Sequence, residues 1–187
     1  MAHGPDNVYH SNNTIRYNIS VNDARKNSYG AIGIWGHVRN AYVYNNTVYV
    51  STAQSGTPRA FSLTDWSIEN NQNKTDGMYV RNNIFQTTSG RPLVVVTSSQ
   101  VSTAKNLVFQ ANDYWPTGST FKVNWGSTTY TDINQWAAAT GQEKNNGALI
   151  GKKLDPNTIG TATAADFQLR NDSPLINQGL NLNLLSI

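Results

Sequence analysis

Cysteine is absent from the 187 residues, so the fold has no disulfide framework and no thiol chemistry. Charge is also scarce, because Asp, Glu, Lys and Arg together make up only 13% of the chain and the formal net charge is +3. The few basic residues form no cluster of the kind that binds nucleic acid. No apolar run approaches the roughly 18 to 20 residues that a membrane-spanning helix needs. We therefore expect neither nucleic acid nor a membrane among the partners.

Asparagine takes the place of the missing charge, with 25 copies in the chain. Five Trp, nine Tyr and five Phe provide enough apolar surface for a packed core. A disordered chain would instead combine few aromatic residues with high net charge. The composition predicts one folded domain over 1–187, and the start, "MAHGPDN", is not a signal peptide.

An Asn-centred repeat runs through the first two thirds of the sequence. The segments "NTIRYNISV", "AYVYNNTVYV", "MYVRNNIFQ" and "LVFQANDYW" each place a hydrophobic residue three positions before an Asn. The aligned Asn are Asn18, Asn46, Asn83 and Asn112, with spacings of 28, 37 and 29, and the hydrophobic residues are Ile15, Val43, Val80 and Phe109. A period of roughly 30 with several short strands predicts a β-solenoid. At its stacked corners, we expect the Asn amides to hydrogen-bond from coil to coil and the Asn backbones to be left-handed.

Strand-like segments on either side of each corner extend the repeat. After the corner, we expect Ile84 in the core and an outward column of Ser20, Tyr49, Phe85 and Trp115. A further segment follows in each repeat: "GAIGIW", "RAFSLTDW", "RPLVVVTS" and "TFKVNW". Its predicted inward pairs are Ile32/Ile34, Phe61/Leu63, Leu93/Val95 and Phe121/Val123.

The C-terminal third departs from the repeat. "TDINQWAAATGQ" has an N-cap candidate at Thr131 or Asp132 and ends in Gly141, which predicts a short helix over 131–142. We expect this helix to cover the open end of the coils, which span 12–130, and we expect 143–187 to form an extended tail along the side.

The corners "NNTV", "RNNIF" and "NDYW" resemble the repeats of right-handed parallel β-helix, pectate-lyase-like carbohydrate-active proteins. The segment "NDYWPTGSTFKVNW" onward is similar to the last coil and C-terminal segment of many bacterial β-helix proteins. The resemblance implies an all-β, right-handed parallel β-helix of about four to five coils. It also implies a secreted, extracellular protein of bacterial type, whose targeting segment would lie outside this chain. Activity does not follow from it, because the superfamily holds lyases, hydrolases, esterases and binding modules on one scaffold.

Two outward columns before the corner are the strongest candidates for function. If the hydrophobic column points inward, its neighbours point outward: Thr14, Tyr42, Tyr79 and Val108 in one column, and Arg16, Tyr44, Arg81 and Gln110 in the other. Aromatic faces can stack on the C–H side of sugar rings, and arginine can donate to hydroxyls. We expect this surface to bind a polysaccharide, unless the tail or a neighbouring domain covers it. Trp35, Trp66 and Trp125, near the ends of the last strand of each coil, would form a second platform.

Catalysis would need titratable groups that converge. No two acids take equivalent positions on adjacent coils, so the best candidate is a loop cluster: His37, Arg39, Asp65, Glu69, Lys74 and Asp76. The plainer interpretation is an ion pair between Arg39 and Asp76 beside a solvated loop. We expect no metal or cofactor, although a lyase acting through this cluster would bring in calcium.

The favoured hypothesis is a non-catalytic carbohydrate-binding module, tethered to a catalytic domain, that binds a plant or microbial cell-wall polysaccharide. Xylan-type hemicellulose is the first candidate ligand, by analogy with modules of degradative enzymes. The alternative is a polysaccharide lyase or glycoside hydrolase acting on uronate-containing polymers. A third interpretation is a structural fragment of a surface protein without a glycan site.

Overall fold

Each Asn-centred repeat forms one coil of three strands in a computed structural model, which describes residues 10–36, 38–52, 55–65 and 75–185. A short strand, β1 (His10–Ser11), precedes the coils. The coil strands are β2 (Thr14–Arg16), β3 (Ile19–Val21) and β4 (Gly30–Trp35); β5 (Val38–Tyr44), β6 (Thr47–Val50) and β7 (Arg59–Thr64); β8 (Asp76–Arg81), β9 (Ile84–Thr87) and β10 (Val94–Val96); and β11 (Lys105–Gln110), β12 (Asp113–Trp115) and β13 (Val123–Trp125).

Equivalent strands of successive coils pair in parallel and form three sheets. The first sheet contains β2, β5, β8 and β11, with β1 also paired to β5. The second sheet contains β3, β6, β9 and β12, and the third contains β4, β7, β10 and β13. An antiparallel strand, β14 (Thr128–Tyr130), completes the third sheet beyond the last coil. The chain is therefore a parallel β-solenoid of about four turns, which confirms the predicted fold class.

At the corner between the first and second sheets, two neighbouring residues have different roles. The first residue has the left-handed backbone: Tyr17, Asn45, Asn82 and Ala111 have φ values of 55°, 53°, 53° and 54°. The second residue is the aligned Asn, and its side chain reaches the next coil. The prediction assigned both tasks to the aligned Asn, but a left-handed backbone and an inward side chain occupy neighbouring positions.

A ladder of side-chain amides runs through these corners, and we call it the Asn ladder (Asn18, Asn46, Asn83 and Asn112). Each Nδ2 donates to the Oδ1 of the next member, over 2.9 Å from Asn18 to Asn46, 2.9 Å from Asn46 to Asn83 and 2.8 Å from Asn83 to Asn112. The ladder ends at Glu143, whose Oε1 accepts from Asn112 Nδ2 over 2.7 Å. The last three Asn and Glu143 are all buried, so the ladder satisfies polar groups that have no access to water.

Inside the coils, the predicted inward pairs Ile32/Ile34 and Phe61/Leu63 are confirmed, but the second sheet and the last two coils of the third sheet depart from the predicted register. In those two coils, the aligned inward pairs are Val94/Val96 and Val123/Trp125 rather than Leu93/Val95 and Phe121/Val123. Phe85 is in the core with no exposed surface, whereas Ile84 at the corner is partly exposed, so these two predictions are wrong. The left-handed residue at the corner shifts the inward–outward alternation by one position. Val48, Phe85 and Tyr114 therefore form the inward column of the second sheet. In the third sheet, the inward columns are Ile32, Phe61, Val94 and Val123, then Ile34, Leu63, Val96 and Trp125.

Two helices close the C-terminal side. Helix α1 (Ser98–Thr103), which the sequence did not predict, connects the third coil to the fourth. Helix α2 (Ile133–Thr140) confirms the predicted cap: Asp132 accepts from Gln135 N over 3.0 Å, and Gly141 is left-handed at φ 75°. Ile133, Trp136 and Ala137 form the buried side of α2.

The tail after α2 lies against the coils and has little regular structure. It contains a small hairpin, β15 (Lys144–Asn145) and β16 (Ala148–Leu149), and two 3₁₀ turns, Ala164–Phe167 and Leu182–Leu185. Phe167 contacts the ring of Tyr49 on the second sheet at 5.4 Å between ring centroids. Near the end of the tail, the backbone N–H and carbonyl of Leu180 both hydrogen-bond to the side chain of Asn82 at a corner of the coils.

Candidate functional site

The first sheet carries the predicted tyrosine and arginine columns in the predicted register. Thr14, Tyr42, Tyr79 and Val108 are partners across four strands, and so are Arg16, Tyr44, Arg81 and Gln110. We call Arg16, Tyr42, Tyr44, Tyr79 and Arg81 the tyrosine–arginine face. Neither column contains an acidic residue, so the face is cationic.

The Asn ladder fixes the backbone of this face. The Nδ2 atoms of Asn18, Asn46 and Asn83 donate to the carbonyl oxygens of the residues two positions earlier, which are Arg16, Tyr44 and Arg81. These distances are 2.9, 3.1 and 3.0 Å. The outward side chains therefore follow a buried, hydrogen-bonded spine, and the spacing of the face is that of the coils, about 4.8 Å per rung.

Tyr42 and Tyr79 stack on each other. Their ring centroids lie 5.3 Å apart, with 15° between the planes, and both side chains are partly exposed. The stack uses one face of each ring, so a ligand meets the outer edges and the hydroxyls rather than two open ring faces. No residue in the described ranges hydrogen-bonds to either hydroxyl, and both are available to donate and accept.

Arg81 lies beside this stack and is held in place. Its guanidinium carbon lies 4.9 Å from the centre of the Tyr79 ring, and its Nε donates to Gln110 Oε1 over 3.1 Å. Gln110 in turn donates to the Lys144 carbonyl of the tail over 2.9 Å. Partial burial lowers the pKa of Arg81, while the nearby Tyr79 and Tyr42 rings oppose the shift. The guanidinium remains a cation at every physiological pH.

Tyr44 and Arg16 form a second pair on the first two coils. Arg16 Nη1 donates to the Tyr44 hydroxyl over 2.9 Å, and this bond raises the pKa of Arg16. Tyr44 is only 6% exposed, so it supports Arg16 rather than presenting its own ring. Tyr17 packs edge-on against Tyr44 at 6.0 Å between centroids and is 68% exposed. The sequence interpretation missed Tyr17, although its place just before a ladder Asn is the signal of an outward corner.

The tryptophan platform does not form among the described residues. Trp125 is 8% exposed and packs edge-on against Phe109 in the core, so its predicted place on an outer edge is wrong. Trp35 is partly exposed at the end of β4 and packs against Tyr29 at 5.4 Å between centroids, on the third sheet rather than beside the tyrosine–arginine face. Trp66 lies outside the described residues.

The predicted loop cluster is only partly described, because Glu69 and Lys74, with His37, lie outside the described residues. Arg39 and Asp76 are partners in the register of the first sheet, as the spacing predicts. Asp76 Oδ1 accepts from Asn106 Nδ2 over 3.1 Å, and Asp65 Oδ1 accepts from the Thr97 hydroxyl over 3.0 Å. Over the described parts of the chain, no three His, Cys, Asp or Glu residues come together as metal ligands.

Two buried carboxyl groups escaped the sequence interpretation. Burial raises the pKa of Glu143 to about 7, against hydrogen bonds from Asn112 and Tyr114 that lower it. Burial likewise raises the pKa of Asp113 to about 7, opposed by the backbone N–H of Leu154. Perturbed pKa values mark candidate functional residues. Glu143 has no exposed surface and belongs to the buried end of the Asn ladder, whereas Asp113 is 3% exposed and borders a cleft between the corner and the tail.

No protein-family model, no curated protein and no solved structure matches this chain. Among the described residues, no helix has the length and apolar character needed to cross a membrane. The tyrosine–arginine face is therefore the surface whose chemistry bears most directly on function.

Proposed function

We propose that this chain is a non-catalytic carbohydrate-binding module that holds a plant or microbial cell-wall polysaccharide on the tyrosine–arginine face. Xylan-type hemicellulose is the first ligand to test. In this proposal the module is secreted and is tethered to a catalytic domain of the same polypeptide. One observation carries the proposal: the partly exposed Tyr42–Tyr79 stack, with Arg81 beside it, is continuous across neighbouring coils.

The geometry suits a linear polymer better than a small ligand. The face is a strip along the coils, with polar groups repeated at the coil spacing of about 4.8 Å. The tyrosine hydroxyls and the guanidinium of Arg81 offer donors to sugar hydroxyls, and the edges of the stacked rings add van der Waals contact with the sugar. Arg81 is already ordered by Gln110, so binding loses little side-chain entropy there.

The chemistry of the face supports binding rather than cleavage. Glycoside hydrolysis uses two carboxyl groups that face each other across the bond to be broken. The columns of the face contain none, and the described carboxylates of the loop cluster, Asp65 and Asp76, bond to neutral side chains.

Affinity electrophoresis against a panel of polysaccharides, with a product assay on the same polymers with and without calcium, tests the proposal. We expect retarded migration with at least one cell-wall polysaccharide and no new reducing ends or unsaturated products. Release of product would refute the module and favour the lyase or hydrolase alternative. Unchanged migration with every polymer would refute polysaccharide binding.

Variants of the stack locate the binding. The double variant Tyr42→Ala/Tyr79→Ala should weaken binding by roughly tenfold or more, since it removes both rings. Tyr42→Phe/Tyr79→Phe is the matched control: it keeps the stacked rings and deletes only the hydroxyls, so it measures the hydrogen-bonding share. If the polysaccharide retards the migration of the Ala double variant as strongly as that of the unmodified protein, the ligand binds to a different surface.

A further inference from the structure

The C-terminal end of the solenoid is only partly covered by helix α2. Beside the buried face of α2, a groove with a volume of about 650 Å³ remains between α1, the β13–β14 hairpin and the last turn of α2. We call this the C-terminal groove. Its volume falls in the range of about 300 to 1,000 Å³ that small-ligand sites occupy.

The lining of the C-terminal groove carries no charged side chain. It combines hydroxyl and amide groups with aromatic and aliphatic surface; the residues that matter most are Ser98, Asn106, Trp125, Ser127, Thr128 and Tyr130. Within the described part of the chain, no hydrogen-bond partner occupies the hydroxyls of Ser127, Thr128 or Tyr130. Unpaired hydroxyls beside aromatic edges suit a ligand that has many hydroxyls, exposed C–H groups and no charge.

Hydrogen bonds hold the walls of the groove in place. In the hairpin, the Thr129 hydroxyl donates to Asn124 Oδ1 over 3.1 Å, and the turn residue Gly126 has a left-handed backbone at φ 63°. On the opposite wall, Gln142 accepts from Phe109 N over 2.7 Å and donates to the Leu107 carbonyl over 3.0 Å. Preordered walls lower the entropic cost of binding, as a built site requires.

The C-terminal groove and the tyrosine–arginine face differ in charge. The face carries two guanidinium groups and is open along its length, whereas the groove is neutral and bounded by two helices and a hairpin. One extended ligand would meet these surfaces with different chemistry. The two surfaces therefore point to separate binding events.

We propose that the C-terminal groove is a second saccharide site, which binds a neutral oligosaccharide independently of the tyrosine–arginine face. The partly exposed ring of Tyr130 contacts the C–H groups of the sugar, and the hydroxyls of the hairpin bond to the sugar hydroxyls.

Nuclear magnetic resonance titrations with neutral hexasaccharides (xylohexaose, cellohexaose and mannohexaose) test this site, with hexagalacturonate as the anionic comparison. We expect at least one neutral probe to shift the amide signals of Ser127 and Thr128 and the Trp125 indole signal. A groove that responds to none of the neutral probes, or only to hexagalacturonate, would overturn the proposal.

Helix α2 offers a matched pair of variants, because Ala138 and Ala139 are neighbouring exposed residues and only Ala139 lines the groove. Ala139→Arg places a long cation in the groove and should weaken binding of the responding neutral probe by roughly tenfold or more. Ala138→Arg adds the same charge outside the groove and should bind as the unmodified protein does. Equal affinities of the two variants would overturn the proposal.

The double variant Tyr42→Ala/Tyr79→Ala separates this inference from the proposed function. The neutral probe should still shift the groove signals in this variant, with an affinity that changes by less than about twofold. Loss of the groove shifts together with the face would refute independent sites. If the face proves unable to bind any polymer while the groove shifts persist, the proposed function fails and the groove stands.

Discussion

Replacing Glu143 with Gln should remove a large part of the pH dependence of stability. Glu143 lies at the end of the Asn ladder with no exposed surface. Its Oε1 accepts from Asn112 Nδ2 over 2.7 Å and from the Tyr114 hydroxyl over 2.6 Å, and its Oε2 accepts from Asn112 N over 3.3 Å. Gln has the same shape and keeps an oxygen for the two short bonds, but it does not titrate.

The magnitude follows from the pKa of Glu143, which burial raises from 4.5 to about 7. One pKa unit corresponds to about 1.4 kcal/mol, so this difference is worth about 3 kcal/mol of unfolding free energy. Between these two pH values, the folded state keeps a proton that the unfolded state releases. The contribution is therefore fully present below pH 4.5, is lost as the pH rises, and is gone above about pH 7.

Asp113 acts in the same direction, since burial raises its pKa from 3.8 to about 7 while Lys152 opposes the shift and Asp155 adds to it. We therefore expect the unmodified protein to be less stable at pH 8 than at pH 5. The variant Glu143→Gln should lose stability over this range by about 3 kcal/mol less than the unmodified protein does. The variant keeps Asp113, so part of the slope should remain in the same direction.

Urea unfolding followed by tryptophan fluorescence, repeated at intervals between about pH 4.5 and 8.5, measures these free energies. Asp172→Asn is the control, because the side chain of Asp172 is 74% exposed, and it should leave the slope unchanged. A stability that stays constant or rises with pH would refute the reasoning, and so would an unchanged slope in Glu143→Gln.

Four further substitutions test the ladder and the tail. Asn83→Ala leaves buried donors and acceptors of two coils unpaired, so it should lower the free energy of unfolding in urea by about 3 kcal/mol or more. Asn18→Ala, at the exposed end of the ladder, should lower it by about 1 kcal/mol. Equal losses in the two variants would contradict a buried ladder. Asn82→Gly keeps the left-handed backbone and deletes both hydrogen bonds to Leu180. Limited proteolysis should therefore cut the tail faster, while the free energy of global unfolding changes by less than about 1 kcal/mol. An unchanged rate of cleavage would contradict the role of Asn82 in holding the tail. Gly151→Ala places a methyl group 2.7 Å from the carboxyl side chain at the ladder end and should cost about 1 to 3 kcal/mol; an unchanged midpoint would contradict this close approach.

The sequence predicted the coils because two independent signals repeat together. A buried Asn and a hydrophobic residue three positions earlier mark each corner, and the register of the first sheet follows from them, down to the pairing of Tyr42 with Tyr79. The inward residues of the third sheet follow less directly from the sequence. "RPLVVVTS" is a continuous apolar run, and alternation cannot show which of its residues point inward. Leu93 is buried as predicted, but Val95 is partly exposed, and Val94 and Val96 align with Phe61 and Leu63.

The parts of the site that the sequence did not predict depend on contacts between distant segments. Tyr44 is buried because Arg16 and Tyr17 cover it from the preceding coil. Arg81 is ordered because Gln110 is anchored to the tail. Trp125 is in the core because helix α2 brings Trp136 against it, at 5.6 Å between ring centroids. Alternation predicts which side a residue faces, but it does not predict what covers that side.

Glu143 follows Asn112 by 31 residues, one more period of the repeat, and its chemistry accounts for the end of the solenoid. Each ladder Asn accepts from the preceding coil and donates to the next, so an Asn in this place would need an acceptor in a further coil. A carboxyl group accepts from Asn112 whether it is protonated or ionised, and it has no amide N–H that would need an acceptor in a further coil. A methyl group added at Gly151 would lie only 2.7 Å from this side chain, so the backbone of the tail packs closely against the end of the ladder. The ladder therefore ends on a residue that closes the hydrogen-bond chain. Because this residue, Glu143, is a buried acid, it also makes the stability of the solenoid depend on pH.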